Sequence, residues 1–104
     1  MIEVNANNFE QEVMNEDKVI VADFWATWCG PCRMLSPILS EVSEEMSDKV
    51  KVVKINVDDN PMLAQQFRVK NLPTVMVIKN GQIRDMMIGF RPKHEVVKFV
   101  KKHI

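Results

Sequence analysis

Apolar residues follow two different patterns along this chain, and each pattern predicts a different kind of element. The run Val19–Trp25 is apolar at every position except Asp23, and continuous apolarity is typical of a strand covered on both faces of a sheet. Residues 50–57 predict a second buried strand, with Lys54 inside it. Between these strands, apolar residues recur at helical spacing over residues 32–46: Leu35, Ile38, Leu39, Val42 and Met46. The pattern therefore predicts strand, helix and strand.

Asparagine residues mark the predicted starts of two shorter helices. Asn5 or Asn7 can cap a helix in the N-terminal region, because asparagine accepts hydrogen bonds from the free N–H groups of a first helical turn. This helix has two apolar residues four positions apart on one face, Phe9 and Val13. Asn60 followed by Pro61 predicts a capped helix with proline at its first position.

The C-terminal third of the chain predicts a hairpin followed by a helix. Residues 74–78 and 82–88 are strand-like, and Asn80-Gly81 between them is a strong signal for a two-residue hairpin turn. Pro92 is expected to open the last helix. Its inward-facing residues are expected to be Val96, Val97, Val100 and Ile104.

The predicted order of elements indicates one α/β domain over residues 1–104. With residues 2–4 as a short edge strand, the order is β-α-β-α-β-α-β-β-α. The first part suits right-handed parallel crossovers, and the hairpin adds an antiparallel edge.

Composition and charge narrow the classes of partner. The 104 residues are 46 % hydrophobic, which is enough for a packed core. There are 14 basic and 14 acidic side chains, so the formal net charge is zero and we expect no nucleic-acid partner. No apolar stretch approaches the roughly 20 residues that span a bilayer, so no membrane partner is expected. The first residues show no secretory signal. We therefore expect a cytoplasmic protein, and nothing in the sequence indicates more than a monomer.

The two cysteines are the candidate reactive groups. Cys29 and Cys32 are separated by Gly30 and Pro31, between the first buried strand and the long helix. A thiol at a helix start is close to unpaired N–H groups and to the positive end of the helix dipole, which favour the thiolate. This arrangement predicts thiol–disulfide exchange, with Cys29 attacking and Cys32 resolving the mixed disulfide. Gly30 and Pro31 are expected to permit the tight turn and set the helix start.

Two other interpretations of the cysteine pair are weaker. A structural disulfide would close so small a loop that it would remove little entropy from the unfolded chain, and it is not expected in a reducing compartment. A zinc site would need two further ligands, and only His94 and His103 remain. Their nine-residue separation does not match the usual spacing of histidine ligands, so we expect no metal site.

Asp23 and Lys54 are charged residues in strands predicted to be buried. Burial disfavours the ionised form of a carboxyl group, so a buried Asp23 should have a raised pKa and could take the proton that Cys32 must lose. Lys54 could be its counter-charge. The alternatives are that Asp23 faces solvent at a strand end and that Lys54 points outward, and the sequence does not set the register that would decide.

Trp25 and Trp28 lie beside the cysteine pair in sequence, and Pro73 lies at the start of a predicted strand. Trp25 is expected in the core. Trp28 is expected to shield the thiols or contact a partner, with plain packing as the alternative. Pro73 lies where a strand begins, and composition alone does not establish a cis bond before it.

Several motifs together resemble the thioredoxin family over essentially the whole chain. The extended cysteine motif and the later Pro-Thr pair are the most specific of them. The matching residues are Asp23-Phe24-Trp25-Ala26, Trp28-Cys29-Gly30-Pro31-Cys32, Pro37, Lys54, Asn56-Val57-Asp58, Pro73-Thr74, Asn80-Gly81 and Gly89.

This resemblance implies a thioredoxin fold, with a five-stranded mixed sheet flanked by four helices. It implies reduction of protein disulfides, with Cys29 as nucleophile, Cys32 as resolving thiol, Asp23 as buried acid/base and Lys54 as its neighbour. A separate thioredoxin reductase would restore the dithiol, so no bound cofactor is expected. Such a protein would donate electrons to other enzymes in cell redox homeostasis.

The resemblance also implies an apolar docking surface for disulfide-containing proteins. Pro73 would be cis, and the Leu72 backbone would pair with an extended substrate segment. The surface would comprise Trp28, Gly30, Pro31, Leu72, Pro73 and Gly89. Phe90 and Asn71 depart from the residues that are frequent in the family at these positions. Both border this surface, so they bear on partner choice.

Two rival functions remain beside disulfide reduction. One is oxidation or isomerisation of disulfides, against which the Gly-Pro pair, the Asp23 context and the missing signal argue. The other is a binding module in which the cysteines are incidental.

Overall fold

One mixed sheet of five strands organises the chain. The computed structural model describes residues 1–104. The strands are β1 (Ile2–Glu3), β2 (Val19–Trp25), β3 (Val50–Asn56), β4 (Thr74–Lys79) and β5 (Gln82–Ile88). They lie in the spatial order β1-β3-β2-β4-β5. Strands β1 and β2 run parallel to β3, whereas β4 is antiparallel to both β2 and β5. The predicted mixed sheet is confirmed.

Four helices connect and follow the strands, as predicted. They are α1 (Glu10–Met14), α2 (Gly30–Glu45), α3 (Pro61–Gln66) and α4 (Lys93–Lys101). The short α1 has wide, π-type turns, and α2 continues through Pro37. No helix is both long and apolar enough to cross a membrane.

The sheet separates two hydrophobic cores, and β2 contributes to both. Val19 and Val21 pack with α2 and α4 on one face. Ile20, Ala22 and Phe24 pack with α1 and α3 on the other. Successive side chains of a strand point to opposite faces, so continuous apolarity is needed where both faces are covered.

The strand register brings the two unusual charges together. Asp23 is the register partner of Lys54 across β2 and β3. Asp23 is two residues from Val21, so its side chain points to the face that α2 and α4 cover. The register that the sequence left open therefore places both charges under α2.

The hairpin turn has the backbone conformation that its sequence predicts. Asn80 and Gly81 have φ angles of 52° and 75°. Two successive residues with positive φ make the type I′ turn, whose twist matches that of a hairpin.

The predicted side-chain cap of α3 is wrong. Asn60 precedes the helix, but its side chain makes no capping hydrogen bond. Its Nδ2 donates to the carbonyl of Asn56, and its Oδ1 accepts from the N–H of Ala6. The side chain is buried, so it links the loop after β3 to the N-terminal segment instead of capping α3.

The two terminal regions also differ in detail from the sequence prediction. Asn5 caps the turn before α1 by accepting from the N–H groups of Asn7 and Asn8. The helix itself starts later, at Glu10, without a side-chain cap. Ile104 is 47 % exposed instead of inward, because α4 already ends at Lys101, whereas Phe99 of this helix lies in the core.

Candidate active site

The two cysteines form a disulfide at the start of α2. Cys29 is the cap residue of this helix, and its Sγ accepts a hydrogen bond of 3.2 Å from the N–H of Cys32. Only 4 % of Cys29 and 3 % of Cys32 is exposed. After reduction, the same N–H and the helix dipole would favour the thiolate of Cys29. The structure thus gives Cys29 the environment of a nucleophile.

The structure does not support the predicted backbone role of Gly30. Its φ lies outside the left-handed region, and no atom lies within 4 Å of the position that a Cβ would occupy. The turn therefore does not require glycine. A side chain here would project into open space.

Trp28 is an exposed aromatic residue beside this disulfide. It is 66 % exposed, which excludes plain packing as its role. Its indole Nε1 donates a hydrogen bond of 2.8 Å to the Asp58 carboxylate. The Asn56 side chain in turn accepts from the N–H of Asp58 and of Asp59. The loop after β3 therefore holds the Trp28 ring in place, a role that the sequence analysis did not assign to Asp58.

A second loop approaches the cysteines from the start of β4. Leu72 packs against the small cluster that contains both cysteines. The bond between Leu72 and Pro73 is cis, which confirms the expectation from the resemblance. The carbonyl of Pro73 accepts a hydrogen bond of 2.8 Å from the N–H of Gly89, whose φ is 86°. Pro73 itself is buried, so the other residues supply the exposed part of the predicted docking surface.

The two residues that depart from the family pattern lie in different surroundings. Asn71 is exposed, and its carbonyl accepts a hydrogen bond from the Thr74 hydroxyl. It lines a groove of about 600 Å³ together with Trp28 and Leu72. Phe90 is half-buried and packs against the core under α2 and α4. Asn71 therefore borders the surface beside the disulfide, whereas Phe90 also contributes to packing.

Asp23 lies beneath the disulfide in a polar cavity. It is 1 % exposed, and neither of its carboxylate oxygens has a hydrogen-bond partner. The cavity measures about 470 Å³, and Cys32 and Lys54 line it with Asp23. Burial raises the pKa of Asp23 to about 7, against the attraction of Lys54 and with a smaller contribution from Glu3. The alternative of a solvent-facing Asp23 is wrong.

Lys54 faces the same cavity but is not hydrogen-bonded to Asp23. Its ammonium lies 3.5 Å from the hydroxyl of Ser36 and 4.3 Å from the centre of the Trp25 ring. The alternative of an outward-facing Lys54 is therefore wrong. Trp25, expected in the core, is half-buried, and its indole N–H is buried without a partner.

Ser36 is a cavity residue that the sequence analysis did not select. It follows Cys32 by four positions, which places both on one face of α2. This spacing is the signal that could have identified it. No group of three or more histidine, cysteine, aspartate or glutamate side chains is placed to hold a metal ion.

Comparison with known proteins matches this arrangement to one family. Residues 1–102 match the family model described as Thioredoxin. The chain belongs to the thioredoxin family. It is 45 % identical over 104 residues to "Thioredoxin" of Haemophilus influenzae, covering 100 % of this chain and 97 % of that protein. It is 42 % identical over 102 residues to "Thioredoxin 1" of a Nostoc species, covering 98 % and 95 % of the two chains.

A third relative gives the same result. "Thioredoxin" of Rickettsia prowazekii is 43 % identical over 101 residues, which are 97 % of this chain and 96 % of that protein. Family membership and the disulfide between Cys29 and Cys32 together make this thioredoxin-family chain a redox-active dithiol protein and a protein-disulfide oxidoreductase.

Proposed function

We propose that this chain works in the reducing direction, as an electron donor that opens disulfide bonds in other proteins. The observation that carries this proposal is the cavity that joins Asp23 to Cys32 beneath the disulfide. A reductant must deprotonate its second thiol in every cycle, and a buried carboxyl with a pKa near 7 is suited to accept that proton.

The reaction begins with the dithiol form of the protein. The Cys29 thiolate attacks one sulfur of the substrate disulfide, that bond breaks, and the substrate's other sulfur leaves as a thiolate. Cys32 then attacks the Cys29 sulfur while its proton passes to the Asp23 carboxylate. The second substrate sulfur leaves, and Cys29 and Cys32 are joined as in this structure. Two electrons have passed to the substrate, and the protein has become oxidised.

The exposed residues around the disulfide are suited to dock an extended segment. The backbone N–H and carbonyl of Leu72 make no backbone hydrogen bond within the chain, so both are free for strand-like pairing with a substrate. Trp28 provides an exposed apolar ring, which the hydrogen bond to Asp58 keeps in position. Pro31 is exposed and Gly30 borders open space, whereas Gly89 is half-buried.

The same proposal includes the enzyme that reduces this protein again and the compartment in which it works. A thioredoxin reductase would return the disulfide to the dithiol, so the chain would need no bound cofactor of its own. Family membership supports this partner class. The proposal also places the chain in the cytoplasm, as a monomer that engages disulfide-containing proteins.

Reduction of a protein disulfide by three forms of the protein tests this function. We expect Cys29→Ser to lose essentially all activity, since the attacking sulfur is gone. Cys32→Ser should accumulate mixed disulfides with its targets, since the resolving sulfur is gone. Insulin precipitation follows the reduction, and non-reducing gels detect the trapped complexes. If Cys29→Ser retains the wild-type rate, the cysteines are incidental and a binding function takes the place of the enzyme.

A further inference from the structure

The position of Lys54 in the cavity is unexpected given the strand register. Its register partners on the two neighbouring strands are both acidic, Glu3 on β1 and Asp23 on β2. Nevertheless, Asp23 has no hydrogen-bond partner, and Lys54 donates its hydrogen bond to Ser36 on α2. The ammonium also lies against the ring of Trp25. The lysine is thus directed to a neutral hydroxyl although two carboxylates flank it.

We propose that Ser36 is a positioning residue for the proton transfer at Asp23. Its hydroxyl holds the Lys54 ammonium between α2 and the Trp25 ring, and so prevents a direct ion pair between Lys54 and Asp23. The inference rests on the proposed function, in which Asp23 accepts the proton of Cys32. A directly paired carboxylate would be a weaker base for that step.

Removal of the hydroxyl should release Lys54 towards Asp23. The charged groups that act on the carboxyl are Lys54 on β3 and Glu3 on β1, and the titratable Cys32 on α2 lines the same cavity once the disulfide is reduced. Arg33 lines the same cavity, but its guanidinium donates to the carbonyl of Thr27.

The remaining neighbours do not compete strongly for the ammonium. The amino terminus lies on Met1, which also lines the cavity, and the β4 register partner of Asp23 is the uncharged Val75. Glu3 is exposed, and a solvent-exposed ion pair contributes little stability. A released Lys54 therefore gains more from the buried carboxylate of Asp23.

Carboxyl ¹³C titration of Asp23 tests this inference directly. It is performed on the disulfide form, in which the cysteines do not titrate. We expect Ser36→Ala to lower the pKa of Asp23 by about 1 unit, the smaller end of the effect of an adjacent opposite charge. Ser36→Thr retains the hydroxyl and should retain the wild-type pKa.

Ser40 provides a matched control on the same helix. It lines the same cavity one turn further along α2, and its side chain makes no hydrogen bond with Lys54. We expect Ser40→Ala to leave the pKa of Asp23 unchanged. An unchanged pKa in Ser36→Ala would overturn the inference, and so would an equal decrease in Ser40→Ala or Ser36→Thr.

The pH dependence of turnover separates this inference from the proposed function. In Ser36→Ala, the acidic limb of the turnover profile should move to lower pH together with the pKa of Asp23. If the pKa moves and the profile does not, Ser36 positions Lys54 as inferred, but Asp23 is not the base for Cys32. If the pKa does not move, the inference about Ser36 fails while the disulfide-reducing function stands.

Discussion

Asp23 is a buried carboxyl group in a strand that is otherwise apolar, and both of its oxygens lack a hydrogen-bond partner. Sequence reasoning identified it because a charge inside a continuous apolar run is conspicuous. The same reasoning did not show that Lys54 would face it without pairing, since that depends on the register of β2 and β3 and on a hydroxyl from α2. Sequence indicated the groups, and tertiary packing decided how they interact.

The raised pKa of Asp23 predicts how stability depends on pH. The folded value of about 7 lies above the ordinary value of 3.8, so the folded state binds the proton more tightly than the unfolded state does. The contribution of Asp23 to stability is therefore complete below about pH 4 and is lost as the pH rises through 7. The full difference corresponds to roughly 4 kcal/mol. Asp23→Asn should remove this pH-dependent loss of stability, because the asparagine side chain cannot ionise.

Denaturant unfolding of the disulfide form at several pH values between 4 and 8 measures this effect. Relative to the wild type, Asp23→Asn should become progressively more stable as the pH rises. Asp59 is an exposed carboxylate suited to a control substitution, and Asp59→Asn should follow the wild-type curve. If the free energies of unfolding of the wild type and Asp23→Asn change in parallel with pH, the buried carboxyl does not have a raised pKa.

At the level of elements, strands and turns were predicted most accurately from sequence where one physical requirement dominates. The bounds of β2 match the apolar run because both faces of that strand must be apolar. The Asn80-Gly81 turn was found because few residues tolerate two successive positive φ angles. The predicted cap at Asn60 was wrong because its side chain bonds instead to the nearby carbonyl of Asn56 and to the distant N–H of Ala6.

The loop after β3 gives a prediction at this level. Asp58→Ala removes the acceptor of the Trp28 indole, so the ring should lose its fixed position. Since both side chains are exposed, we expect a stability change of less than about 1 kcal/mol. The KM for a protein disulfide should rise by several-fold, on the order of the energy of one hydrogen bond. The rate with a small-molecule disulfide should remain near that of the wild type, because it does not need the docking surface.

Steady-state kinetics with insulin and with a small aromatic disulfide provide the measurement. Asp58→Asn keeps an acceptor oxygen and should be close to wild type. Asp59→Ala removes the neighbouring carboxylate, which does not bond to Trp28. An equal loss of activity in Asp58→Ala and Asp59→Ala would indicate that local charge matters and that the position of the ring does not.

At the scale of the whole molecule, strand direction explains why distant residues meet at one end of the sheet. The ends of β2 and β3 are adjacent, with Trp25 opposite Asn56. Because β4 is antiparallel, its start lies beside them, with Thr74 opposite Phe24. The end of β5 follows, with Ile88 opposite Thr74. The loops that carry the cysteines, Asp58, Leu72 and Gly89 therefore leave the sheet at the same end. Ligand-binding loops are commonly grouped in this way in α/β proteins.

The meeting of these loops at one end of the sheet was only partly predictable from sequence. The order of strands and helices follows from local patterns, and the antiparallel direction of β5 relative to β4 follows from the hairpin. The antiparallel pairing of β4 with β2 involves residues at least fifty positions apart, for which no local pattern exists. The resemblance to the thioredoxin family implied a mixed sheet of five strands but did not specify this pairing, which the register of the sheet shows.

The environment of the whole site predicts a strongly reducing disulfide. A couple is oxidising when the protein stabilises its dithiol form. Here, the thiolate of Cys29 would receive one N–H, from Cys32, and Cys32 lies in a cavity with the carboxyl of Asp23. We therefore expect a potential near the ~−270 mV typical of thioredoxins rather than the ~−120 mV of a strong oxidant. Equilibration with glutathione buffers measures it, and a value above about −180 mV would favour disulfide oxidation or isomerisation.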